Sequence, residues 1–429
     1  MTQAAHGSER PLTVARGSSL YVAAVVGPGL LFIPFVAVQV AGPAAIVAWA
    51  ALLILSVPLV ISFAALGLRF PSASGVSAYV RVALGSTAAA AVGACFLAEV
   101  VLGGAAVVLI GGDYVAALTG GTREVVVPIA VISMYVMVIA ANYAGLRTST
   151  GTQVVLSSLT VSLLMIAVVG IVPERLHRHW LPFAPHGWWA VGAAANLLVW
   201  LFFGWETMAQ LASEFRQPRD LRRSVAFSFA TVTCIYIAMA IATIVEPSGR
   251  GSSAPLADLV AVAFGRAGRD VSIALAVGLT VGTMNVATAA AARLAASLSE
   301  HGHIPTWFAA GDGRRDIPRR PLFAIALTTL MLMLANAVSL LPTGALVRAT
   351  AACLVSVYVL TLTAAVRLLE SHLRRAALLS LALVVVVAAF SSFYLLVPVS
   401  AALIGIALHR GANSRQDGAI VARGSAPRC

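Results

Sequence analysis

The stretch Val25–Pro34, VVGPGLLFIP, decides how this chain is read. It lies inside an apolar run long enough to cross a bilayer, yet Gly27, Pro28 and Gly29 follow one another within it. A helix in hydrocarbon keeps its backbone hydrogen bonds internal, and irregular backbone at membrane depth is tolerated only where protein buries it or where it lines a cavity. A single proline makes a kink, whereas a glycine on each side of it permits full unwinding. The triplet therefore predicts an interrupted membrane helix whose break serves something polar.

The rest of the chain supports the membrane reading. Of 429 residues, 60% are hydrophobic and 10% charged, whereas a soluble domain carries about 25% charged residues. Apolar runs able to span hydrocarbon lie near residues 19–41, 43–68, 88–117, 125–143, 152–172, 188–212, 225–245, 271–298, 321–341, 344–368, 376–392 and 394–409. This predicts an all-α polytopic protein of about twelve spans. A polar N-terminal segment, 1–18, precedes the first run without the short apolar core of a cleaved signal peptide.

All the basic residues are arginines, and they are spread over short loops, which argues against nucleic acid as a partner despite the net charge of +12. With the N-terminus in the cytoplasm, twenty arginines fall on the inner side and seven on the outer, among them Arg123, Arg175, Arg250 and Arg348. Positive charge is retained inside, so both termini are expected in the cytoplasm of a bacterial cell. The basic clusters FRQPRDLRRS and GRRDIPRR read as topology signals and contacts to anionic headgroups. Cys95, Cys234 and Cys353 fall in separate spans and read as packing residues, and Cys429 ends the chain. No Cys or His spacing supports a metal site, and no cofactor is expected. His301 and His303 read as solvated loop residues, with pH sensing as the alternative.

A second interruption stands in the sixth run, Asn196–Phe215, NLLVWLFFGWETMAQLASEF, where Gly204 is followed by the intramembrane carboxylate Glu206. Interrupted segments at corresponding places in two halves of a chain point to repeats with a substrate site between them at mid-membrane, the pattern of a secondary transporter.

Five segments in order, GPGLLFIP, RFPSASGVSAYVRVALG, NYAGLRTSTGTQ, LFFGWETMAQLASEFRQPRDLRRSVA and ARLAASLSEHGHIP, resemble the amino acid, polyamine and organocation transporter superfamily, and within it bacterial exporters of methionine and branched-chain amino acids. The resemblance implies a LeuT-type fold of two inverted five-helix repeats, about 19–172 and 188–370, forming a core over 19–370. Two peripheral helices over 371–409, against lipid or another copy of the chain, and a cytoplasmic tail over 410–429 would follow. It also implies a substrate site. The amino acid carboxylate would lie against the amides of Gly29 and Leu30, where a helix start presents unpaired N–H groups. The ammonium would meet carbonyls of Val25, Val26, Trp200 and Phe203, freed by the breaks at Gly27 and Gly204, and Gly104 would face the substrate. Close helix packing is the competing reading for Gly103 and Gly104, but it accounts poorly for a Gly-Pro-Gly triplet. Relatives commonly carry a small hydroxyl residue where this chain has Pro28, so two potential donors are missing. Pro28 suits the first turn of a helix and is expected to start the outer half-helix.

Trp200, Phe202, Phe203 and Trp205 cluster at the second break, with Phe32 nearby, and imply an apolar pocket for neutral amino acids. Glu99 and Glu206 are the ionisable candidates for exchanging a proton during transport. For Glu206 a static clamp on the broken helix is an equal alternative, and for Glu99 a fixed hydrogen bond to Ser or Arg. Asp113, at a span boundary, reads as solvated. Sodium is the less favoured coupling ion, with Thr280, Thr283 and Asn285 as its potential ligands. No constellation of nucleophile, acid and base supports an enzyme. The resulting expectation is proton-coupled export of hydrophobic amino acids across the cytoplasmic membrane, with an uptake permease or exchanger as the alternative.

Overall fold

A computed structural model describes residues 12–70, 76–119, 122–145, 150–202, 204–206, 215, 217–300, 302–309 and 317–424. Those residues are almost wholly helical, and the extended pairing among them is an isolated bridge between Leu12 and Phe215. The first span is α1 (Val14–Val25), a 3₁₀ turn (Pro28–Leu31) and α2 (Ile33–Ala41). Then come α3 (Ala45–Arg69), α4 (Val76–Leu84), α5 (Ser86–Thr119), α6 (Arg123–Tyr143) and α7 (Thr150–Arg175). The sixth span begins as α8 (Trp189–Leu198) and passes into a 3₁₀ turn (Val199–Phe202). It is followed by α9 (Pro218–Val245), α10 (Pro255–Glu300), α11 (Arg319–Ala337), α12 (Thr343–Leu368), α13 (Ser371–Ala389) and α14 (Leu396–Gly424).

Among the described residues ten helical stretches are long and apolar enough to cross a membrane. The twelve sequence runs give ten such stretches for two reasons. The 3₁₀ turn Gly42–Ala44 joins α2 to α3, and the described part of the sixth span, Trp189–Phe202, is short. The halves share one order of elements. Each has an interrupted span, a long helix, a short helix (α4, or the leg of α10 before its kink at Gly265) and then the longest helix of that half.

Helix α5 is the central post. Its small residues let neighbours close onto its axis: Leu298 packs at Gly93, Thr350 at Gly103, Met284 at Gly104, Thr280 at Gly111 and Val131 at Gly112. Small residues at such interfaces replace the hydrophobic drive that lipid removes, because they let dispersion contacts form between backbones.

The sequence expectations shift in several places. Helix α1 starts at Val14, within the segment read as a tail, and α14 runs on to Gly424. His303 is buried, with Nδ1 3.2 Å from Nδ1 of the equally buried His409, so it is not a solvated loop residue. Asp113 is not simply solvated either: Arg123 binds its Oδ1 through Nε at 3.1 Å and Nη2 at 2.7 Å. Cys95 and Cys353 are buried packing residues, whereas Cys234 is exposed on the helix surface. His301 and Cys429 lie outside the described residues.

Candidate functional site

The first break is built by its three residues in turn. Helix α1 ends at Val25, and Val26 leaves helical geometry with its N–H still bonded to the Val22 carbonyl at 2.8 Å. Gly27 is extended, and Pro28 opens the 3₁₀ turn, whose first bond runs from the Leu30 N–H to the Gly27 carbonyl at 3.1 Å. Pro28 therefore does not start the outer half-helix. That helix, α2, begins at Ile33 with Pro34 in its first turn. Of the two amides expected to hold a carboxylate, Leu30's is engaged inside the turn, while Gly29's precedes the first i→i+3 bond.

The second break rests on the first. Gly204 has φ +115°, a conformation that L side chains rarely adopt, and a Cβ there would lie 2.7 Å from the Ala24 carbonyl oxygen and 3.2 Å from the Val25 Cα. Only glycine satisfies both constraints at once. On the other side, a Cβ at Gly29 would come within 2.9 Å of the Leu201 side chain. At Gly27, by contrast, a Cβ would meet nothing within 4 Å among the described residues.

Three buried tyrosines, which sequence reasoning missed, fasten the interrupted backbone. The Tyr236 hydroxyl, from α9, contacts the Leu201 carbonyl and lies 3.2 Å from the Val25 carbonyl. Tyr358, from α12, donates to Glu206 Oε2 at 2.8 Å and reaches the Phe202 carbonyl at 3.3 Å. Tyr114, from α5, donates to the Leu31 carbonyl at 2.8 Å and accepts from the Leu256 N–H at 3.1 Å. The phenols supply hydrogen-bond donors to backbone carbonyls at the two breaks, the Val25 carbonyl also accepting from the Gly27 N–H at 3.0 Å. A lone tyrosine in an apolar helix carries no sequence mark of this, because its partners lie up to 211 positions away.

The remaining candidates divide. Trp200 brings Cζ2 within 3.5 Å of where a Gly103 Cβ would stand, beside Glu99 Oε1 at 3.6 Å from the same point. Glu99 is 4% exposed, and among the described residues its Oε2 has no hydrogen-bond partner, so the fixed bond weighed from sequence is not made by that oxygen. Glu206 is 3% exposed and its Oε2 accepts from both the Gly204 N–H at 3.1 Å and Tyr358. The two carboxyls are close enough to interact coulombically. At Gly104 the thioether end of Met284 fills the space a side chain would take, 3.1 Å from a Cβ. Phe202 packs against Trp49 and Tyr236, and Trp205 against Phe229. Phe203 lies outside the described residues.

The family model for amino acid permeases matches residues 15–413. The chain belongs to the amino acid permease family, within the amino acid, polyamine and organocation superfamily. The permease is 29% identical over 364 residues to the uncharacterized amino acid permease YecA of Bacillus subtilis, covering 84% of this chain and 86% of that one. It is 27% identical over 328 residues to the L-methionine/branched-chain amino acid exporter YjeH of Escherichia coli, covering 74% and 77%. It is also 25% identical over 331 residues to the vacuolar cationic amino acid transporter 8 of Arabidopsis thaliana, covering 72% and 54%.

The potential sodium ligands of the permease turn to different neighbours. Thr283 Oγ1 accepts from Gln153 Nε2 at 2.7 Å, Thr280 packs at Gly111, and the Asn285 carbonyl faces Asn142 Nδ2 at 3.4 Å. At the end carrying the N-terminus, α1 is stitched to α9: Ser224 Oγ donates to the Val14 carbonyl at 3.1 Å and Ser228 Oγ to the Ser18 carbonyl at 3.3 Å. Phe215 covers the same helix at Gly17 and stacks on Tyr21. Short hydroxyl contacts of this kind let helices part and rejoin at modest free-energy cost.

Proposed function

We propose that the permease is a secondary transporter that exports neutral hydrophobic amino acids, methionine, leucine, isoleucine and valine, in exchange for protons by alternating access. The observation that carries it is the seating of Gly204 on Ala24 and Val25, which brings two unwound backbones together, with none of the described residues filling the space at Gly27. Unwound backbone supplies amides for a carboxylate and carbonyls for an ammonium. Gly29 provides the amide, while Val26 and Trp200 provide carbonyls beyond those the tyrosines engage. Pro28 contributes no donor, and Gly104, with Met284 before it, borders the side-chain space. Glu99 is the proton carrier, and Glu206 is the clamp on the sixth span.

Export as the direction rests on similarity to a protein named as an exporter. Loading cells with dipeptides tests it: the transporter should lower intracellular methionine and branched-chain pools, and a rise would establish uptake instead. Proteoliposomes test the coupling. Transport should fall when the pH gradient is collapsed at constant sodium, and undiminished transport would reject proton drive. A second reading has one observation in its favour. The Glu99 carboxyl, with Oε1 near Trp200 at Gly103 and Oε2 without a hydrogen-bond partner among the described residues, is a fitting counter-charge for a cationic side chain, and one relative is named a cationic amino acid transporter. Competition by arginine stronger than by leucine would favour it.

A further inference from the structure

An apolar groove of about 310 Å³ lies away from the crossing, floored by α5 at Leu97 and Val101 and walled by Ala324 of α11 and Ile404 of α14. Phe308 closes one end. Both wall helices are candidate spans, and Ile404 is exposed, so the groove opens sideways from the bundle at membrane depth. It exists because Gly405 lets α14 come down onto α5, where a Cβ would stand 2.8 Å from the Ala90 carbonyl, while α11 stays apart. Water has no polar partners in such a slot, so hydrocarbon fills it.

The charge is all at one end. Arg320 is exposed, with Nη1 3.5 Å from the carbonyl of Trp307, the residue before Phe308. Arg410, also exposed, stands about 200° round α14 from the groove-lining Leu408 and so faces away from the groove. Trp307 is half exposed at the same level, a placement typical of the headgroup region. The groove spans α11 from Pro321 to Thr328, about 10 Å at the helical rise, the reach of the first part of an acyl chain. A second copy of the chain docked here about a two-fold axis would bring like arginines to the same level, which repels.

We infer that this groove is a binding site for one anionic phospholipid, its acyl chain between α11 and α14 and its phosphate held by Arg320. Native mass spectrometry of the full-length protein, given equimolar phosphatidylglycerol and phosphatidylcholine in detergent, tests it. One retained lipid per chain is expected, with phosphatidylglycerol preferred about fivefold or more. Arg320→Gln should bring the preference close to unity, whereas Arg410→Gln, on the far side of α14, should leave it unchanged. Ile404→Trp should remove the retained lipid while helical circular dichroism is unchanged, and Ala324→Trp on the opposite wall should do the same. A wild type that retains no lipid, a preference that survives loss of Arg320, or a dimer that Ile404→Trp dissociates would each overturn the inference.

Discussion

The Tyr236 hydroxyl stands 3.2 Å from the Val25 carbonyl at the end of α1, and the same oxygen contacts Leu201 in the sixth span. One phenol thus ties together the two interrupted backbones, and with a single proton it can fully satisfy one carbonyl at a time. Tyr236→Phe keeps the ring contacts to Trp49 and Phe202 but leaves buried acceptors short of a donor, a loss of about 1–3 kcal/mol. The expected outcome is a lower melting temperature and slower transport at unchanged expression, measured by thermal unfolding in detergent and by flux into vesicles.

The two glycines of the crossing should respond oppositely to alanine. At Gly204 a methyl group meets backbone at 2.7 Å and must adopt positive φ, so Gly204→Ala should destabilise the fold by about 2 kcal/mol or more. At Gly27 the methyl meets none of the described residues. Gly27→Ala should leave melting unchanged and raise the Michaelis constant for the largest substrates first, as seen by comparing leucine with alanine.

Charge removal separates the two carboxyls. Glu99→Gln should abolish transport driven by a pH gradient while preserving substrate counterflow, because its Oε2 has no partner among the described residues to lose. Glu206→Gln keeps an amide oxygen for Gly204 and Tyr358, so it should be nearly silent, whereas Glu206→Leu removes the buried acceptor that the Gly204 N–H and the Tyr358 hydroxyl share. Stability should then fall by about 1–3 kcal/mol. Loss of gradient-driven flux in Glu206→Gln at normal stability would reverse these roles.

Pro28 offers a gain-of-affinity test. Pro28→Ser restores a backbone N–H and a hydroxyl at the start of the 3₁₀ turn. At about 1 kcal/mol per neutral hydrogen bond, substrate binding should tighten roughly fivefold or more. Unchanged affinity by equilibrium binding would show that the carboxylate does not sit there.

Both breaks were legible in the sequence because glycine and proline act locally: Gly27, Pro28 and Gly204 interrupt a helix whatever surrounds them. The extent of the breaks was less so. Pro28 suggested the start of the outer helix, but a 3₁₀ turn intervenes before Ile33, since the packing of Gly29 on Leu201 holds the chain in the tighter turn. His303 and Asp113 looked solvated because their partners, His409 and Arg123, are supplied by other helices.

By itself the sequence determined the membrane class, the order of spans, the places where two of them unwind and the permease family, since hydropathy, glycine, proline and family motifs are all read along the chain. Only the tertiary structure decided how the unwound backbone is satisfied. Tyr114, Tyr236 and Tyr358 come from three different helices, far apart in sequence, to the carbonyls of the interrupted spans. Hydrogen bonding at membrane depth must be closed within the protein, and which donors close it is a property of helices packed side by side.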